Sequence, residues 1–214
     1  DTGGQVWRVD LAALEVAESN PKSTTRVGKL AKIGSGSSDS IKRRFFDPPS
    51  VVQVSDTLFS NESDYDYVLV GSGYRAHPLD TEVEDRFYAF RDFFTGANEM
   101  EDFDGDNVSE SEDGYPQASG SAYNDSDLID VTSTILESSD STHKEAAGWF
   151  YDFTDAGTTG EKVLSAPVTA GGIVTFTTFS PEETSSGDPC GASLGLGTAY
   201  NFDILTANAA LDWD

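Results

Sequence analysis

Carboxylates recur at alternate positions in Asp102-Phe103-Asp104-Gly105-Asp106-Asn107-Val108-Ser109-Glu110, and Asp113 follows three residues later. In a tight loop such spacing turns oxygens to one side, and a calcium ion takes about six to eight hard oxygen ligands. Asp102, Asp104 and Asp106 fall at the first, third and fifth places of an EF-hand-type loop. The Val108 carbonyl takes the seventh place, Glu110 the ninth and Asp113 the twelfth. Two departures stand out. Asn107 occupies the usual glycine place, although Asn tolerates left-handed backbone, and Asp113 is one methylene shorter than the usual bidentate Glu. The expected ligand is Ca2+, which would supply the positive charge that lets the segment order; the plainer alternative is a solvated acidic loop.

Other constellations carry less. Gly71 and Gly73 in VGSGYRAHPLD follow a strand-like run, as in a phosphate-binding turn. The third glycine is missing and Pro78 opposes a following helix, so a nucleotide site is rejected. His77 with Asp80 and Asp85 has the makings of acid–base chemistry. Ser72, His77 and Asp80 crowd too closely for a nucleophilic triad. The expected role is structural, with His77 and Arg75 meeting carboxylates across a turn. Two His and the single Cys190 fall short of the four Cys and His ligands of an ordinary structural zinc site. Cys190 is either a small semi-buried thiol or half of a disulfide to a segment outside this chain. Lys42-Arg43-Arg44 is a basic cluster in an acidic chain, able to pair with acidic residues or to act as a docking feature.

The elements that must position these groups are β almost throughout. Gln5-Val6-Trp7-Arg8-Val9-Asp10-Leu11 and Thr25–Ile33 alternate apolar and polar residues, and are expected to pair. A Gly/Ser-rich loop follows over 33–40. Pro48-Pro49, which fixes an extended entry and cannot itself lie mid-sheet, leads into a strand at Ser50–Val54. Tyr65–Gly71 is the most apolar run and reads as a central strand, and Asp85–Arg91 places aromatics on alternate faces. Strands are also expected at Gly148–Phe153, on both sides of a Gly171-Gly172 turn within Val163–Phe179, and at Ala199–Leu205.

Residues 92–143 contain no Lys or Arg but fourteen of the 38 Asp and Glu, and most of them are expected to form a surface excursion. Over the whole chain, 13 Lys and Arg against 38 acids leave a net charge of −25. That balance excludes a generic nucleic-acid binder and disfavours anionic membranes. With 37% hydrophobic residues the chain is too apolar to be wholly disordered. No run approaches the length of a membrane span, about 18 apolar residues. DTGGQVWRVDL resembles neither a signal peptide nor a fold's first element, so a piece of something larger is expected.

The strand pattern recurs. GGQVWRVDL, DRFYAFRD and GTAYNFDIL share an aromatic–apolar–polar order, while PPSVVQV…YVLVGSG and SAPVTAGGIVTFTTF each begin with a Pro-led strand. Two four-stranded units preceded by part of a third fit β-propeller blades; a β-sandwich explains the strands but not the recurrence. The fold expected is therefore all-β, about two and a half blades of a propeller whose ring is completed by missing chain or a partner. Trp7, Trp149 and Phe87 are expected between blades.

DTGGQVWRVDL, RRFFDPPSVV, YVLVGSGYRAHPLDTEVEDRFYAFRD and VLSAPVTAGGIVTFTTFSP…DPC resemble the C-terminal propeller of PilY-type proteins, the tip adhesins and biogenesis factors of bacterial type IV pili. The resemblance implies that residues 1–214 are the C-terminal portion of a modified quinoprotein-like propeller, with an acidic insertion at about 94–143. It implies a non-enzymatic component outside the cell, at the pilus tip or outer surface. The implied partners are minor pilins, the rest of the same propeller protein, and a host or abiotic surface. The family's calcium-binding loop precedes the matching first strand, so it is carried to no residue here; Asp1 lies just downstream of it. The alternative is a fragment of a quinoprotein dehydrogenase. Against that stand the few scattered cations available for a quinone's carboxylates and the single cysteine, which rules out the vicinal disulfide of such enzymes.

Overall fold

Alternation and β-branched residues produce strands where one face is covered, and unbroken apolar runs produce strands covered on both faces. A computed structural model, which describes residues 2–10, 26–34, 38–60, 64–93, 122–181 and 195–210, contains both kinds. The strands are β1 (Gln5–Asp10), β2 (Arg26–Lys32), β3 (Ser50–Ser55), β4 (Asp64–Gly71), β5 (Arg86–Asp92), β6 (Ile129–Asp130), β7 (Gly148–Asp152), β8 (Lys162–Val163), β9 (Val168–Ala170), β10 (Ile173–Ser180) and β11 (Leu196–Asp203). A short α-helix, α1 (Ser141–Glu145), precedes β7 and is capped by Asp140, whose side chain accepts from the Thr142 N–H. The chain is all-β in class.

The strands form three sheets. β1 and β2 pair antiparallel, as their alternation predicts, with a bulge between Val6 and Trp7. The middle sheet runs β3-β4-β5-β7-β6, antiparallel except for the parallel β6–β7 edge. The third places β10 between β11 on one side and β8 and β9 on the other. β3 lies at a sheet edge, with Pro48 and Pro49 just before it and outside the ladder. Gly171 and Gly172, with φ of 59° and 82°, make the tight turn between β9 and β10.

Both faces of the middle sheet are buried, which is why β4 and β5 read as YVLV and FYAF rather than as alternating strands. Tyr67, Leu69, Phe87, Ala89 and Trp149 face the third sheet, packing against Val174, Phe176 and Phe202. The Phe87 and Phe176 rings stack with centroids 3.9 Å apart. On the other face Val68, Val70, Tyr88, Phe90 and Phe150 meet Leu30, Ala31 and Ile33 around β2, with Phe45. Phe87 and Trp149 therefore lie between two packed sheets.

Trp7 does not. It is 49% exposed, with Lys29 Nζ 5.1 Å from its ring centroid. Its side of the β1–β2 ribbon is not the one that packs on the middle sheet. A second difference concerns the acidic stretch. From Ala122 onward it does not leave the body of the fold. Tyr123 hydrogen-bonds along β2, β6 joins β7, and Leu128, Val131 and Leu136 are buried. The apolar residues between the carboxylates decide where this segment lies, because cations from elsewhere in the chain meet the charge.

Candidate interaction site

Those cations are Arg43 and Arg86. Arg86 donates from Nε to Asp152 (2.6 Å) and from Nη1 to Asp125 (2.8 Å), and its guanidinium lies over the Phe150 ring. Tyr88 Oη donates to the same Asp125 oxygen at 2.9 Å. Arg43, the middle residue of the basic cluster, is buried. It donates to the Glu84 carbonyl (2.7 Å) and pairs with Asp125 at 3.6 Å. Of its neighbours, Lys42 is exposed and pairs with Asp39. The basic cluster thus does meet the acidic stretch, through one buried arginine.

The connection from β4 to β5, residues 72–85, carries the groups that could have formed a catalytic set. The structure separates them. Ser72 Oγ donates to Asp85 Oδ1 (2.7 Å) and accepts from the Arg86 N–H (2.9 Å). His77 lies on the exposed part of the loop, its ring 4.6 Å from that of Tyr74. Asp80 accepts from the Glu82 N–H, closing a local turn. Arg75 does meet a carboxylate, Asp47 at 3.5 Å, across to the segment before β3 rather than within its own turn. The glycines serve packing: a Cβ on Gly71 would stand 2.4 Å from Val163 side-chain carbons, and one on Gly73 2.4 Å from the Val163 carbonyl. They let β8 cross close to the end of β4, which explains VGSG without a phosphate.

Asp85 is buried, and its second oxygen has no hydrogen-bond partner among the described residues. Burial pushes its pKa up to about 6, against the Ser72 hydrogen bond and the charges of Lys162 and Arg43. Lys162 was invisible as a site in the sequence, being one lysine in an ordinary strand. Its buried ammonium donates to the carbonyls of Pro78 (2.9 Å), Asp80 (2.7 Å) and Gly160 (2.6 Å). It holds the 72–85 loop as a tethered cation would. Burial lowers its pKa, opposed by Asp85 and Asp80.

An open groove of about 790 Å³ runs along β11, between Thr132–Ile135 and Asn201, with Tyr151 and Tyr200 in its wall. Its lining residues include no carboxylate, imidazole, thiol or amine. Such a surface can bind but has no general acid or base beyond two tyrosines whose pKa values burial raises. Among the described residues no group of three or more His, Cys, Asp or Glu could hold a metal ion. Asp102, Asp104, Asp106, Val108, Glu110 and Asp113, together with Asp1 and Cys190, lie outside the described residues. No helix of the described residues is long and apolar enough to cross a membrane.

No family model and no curated protein matches the chain. Among solved structures, the crystal structure of the Pseudomonas aeruginosa PilY1 C-terminal domain matches it with a TM-score of 0.57 at 19% identity. The chain shares the fold of part of that domain. The match covers 96% of this chain and 43% of the PilY1 domain, so the chain spans less than half of the structure it resembles. The resemblance read from the sequence segments is met by the PilY1 domain at the level of fold, across nearly the whole chain.

Proposed function

We propose that this chain is part of a β-propeller that works at the tip of a type IV pilus by interaction and not by catalysis. The observation that carries the reading is the fold shared with the PilY1 C-terminal domain over 96% of the chain. Three sheets packed face to face support the propeller. In the middle one, β3-β4-β5-β7 form a four-stranded antiparallel unit covered on both faces, as neighbouring blades cover a blade. The remaining blades would come from other parts of the same protein, and the partners would be minor pilins and a host or abiotic surface outside the cell.

Within this reading a calcium ion is held by Asp102, Asp104, Asp106, Glu110 and Asp113 with the Val108 carbonyl. The donor set, all oxygen and mostly anionic, fits a hard cation. Its role would be structural, offsetting carboxylate repulsion where the chain has no cation of its own.

Deleting residues 1–214 from the complete protein in its own bacterium tests the proposal. Surface pili counted by electron microscopy should fall to a small fraction of normal while the pilin pool stays unchanged. Normal piliation and attachment would overturn the pilus reading, and a quinone absorbance band in the purified protein would overturn the non-catalytic one.

A further inference from the structure

Residues 42–47 and 74–79 bring Arg44, Arg75 and one of the two His together, with Asp47 as the single acid of these segments, in a chain that carries 38; Lys42 and Arg43 of the same stretch are turned to Asp39 and Asp125. The two segments are tied together by the Gly73 N–H, which donates to the Arg44 carbonyl at 2.9 Å. Their side chains form a layered surface. The Arg44 guanidinium lies 4.0 Å from the Tyr74 ring centroid, Phe46 stacks on Tyr74 at 5.9 Å, and His77 follows at 4.6 Å. The surface is open to solvent: Phe46 is 39% and Leu79 59% exposed. Among the described residues no carboxylate pairs with Arg44. Arg75 reaches Asp47 only at 3.5 Å and stays largely exposed.

We infer that Arg44, Phe46, Tyr74, Arg75, His77 and Leu79 form a docking platform for an acidic segment of a protein partner. A guanidinium stacked on an aromatic ring keeps its N–H edge free, and that edge matches a carboxylate bidentately. Exposed Phe46 and Leu79 add the apolar contact that turns an ion pair into an interface, where Tyr, Phe and Arg are enriched. The platform is preorganised, since Lys162 fixes the Pro78 and Asp80 carbonyls beneath it, and ordering costs on binding fall accordingly. At about 150 mM salt the repulsion from distant carboxylates is screened beyond ~8 Å, whereas contacts on the platform are not. The inference stands whether or not the chain belongs to a pilus.

The test uses the purified complete protein, with residues 1–214 in place, together with a fluorescent deca-glutamate peptide and its deca-glutamine counterpart, read by anisotropy at about 150 mM NaCl. Saturable binding of deca-glutamate alone is expected, weakened about tenfold by Arg44→Gln or Arg75→Gln. Lys144→Gln, on α1, should leave it unchanged. Phe46→Ser removes an exposed ring without touching a buried charge, and should weaken binding while leaving the thermal melt in place. Three results would overturn the inference: no saturable binding, binding indifferent to Arg44→Gln and Arg75→Gln, or a polyuronate oligosaccharide that displaces the peptide more tightly.

Discussion

At Asp85 a single carboxylate is set against its surroundings. One oxygen takes the Ser72 hydroxyl, the other is buried without a partner, and Lys162 and Arg43 contribute only at a distance. The folded state raises its pKa from 3.8 to about 6. The stability this group contributes is therefore fully present below its ordinary pKa and lost as pH rises through about 6, because the folded state binds the extra proton. Above that pH the buried charge costs on the order of 2–3 kcal/mol. Asp85→Asn carries no charge at any pH and keeps an acceptor for Ser72. Its denaturant stability relative to the parent is expected to shift in its favour by that order between pH 4.5 and pH 7.5, roughly the span of the titration. A difference that does not change with pH refutes the assignment. Little of this was legible in the sequence. Ser72, His77, Asp80 and Asp85 could be picked out by type, but chain proximity hid that Ser72 bonds Asp85 while His77 stacks on Tyr74. Lys162 gave no signal, since its three carbonyl partners become neighbours only when β8 crosses the 72–85 loop.

Elements were far more legible than residues, because alternation and apolar runs report burial directly. The β1–β2 pair and the glycine turn before β10 both follow from local chemistry. The segment carrying Tyr123, β6 and Leu136 was missed because its carboxylates suggested solvent, while the arginines that meet Asp125 sit far away in sequence. Two glycines separate steric from backbone demands at this scale. Gly71 is extended and pressed on Val163, so Gly71→Ala must push β8 away and should cost about 1–3 kcal/mol, as overpacking does. Gly171 has open space around it but a φ of 59°, so Gly171→Ala meets only backbone strain and should cost about 1 kcal/mol. Denaturant midpoints give the order. Equal costs, or a larger cost at Gly171, would mean that β8 does not press on the end of β4.

Over the whole molecule a net charge of −25 works against compaction, and salt of any kind should raise the melting temperature by screening it. A specific ion site must exceed that background. Free calcium at about 100 times its dissociation constant would add ~2.7 kcal/mol to the folded state if the unfolded chain does not bind it. The comparison that isolates the site is the melting temperature in calcium against magnesium at equal concentration and against sodium chloride at equal ionic strength. Calcium suits a larger, more flexible oxygen cage than magnesium, which demands tight octahedral geometry. The expected order is calcium well above magnesium, with magnesium near sodium. Asp104→Asn with Asp106→Asn should remove the calcium increment and leave the sodium one, because two lost charges barely alter a net charge of −25. If all three salts act alike, the carboxylates of 102–113 are a screened acidic loop and the ion is not part of the fold. If the calcium increment survives both substitutions, the ion is held elsewhere, and the spacing that drew attention to this loop is coincidental.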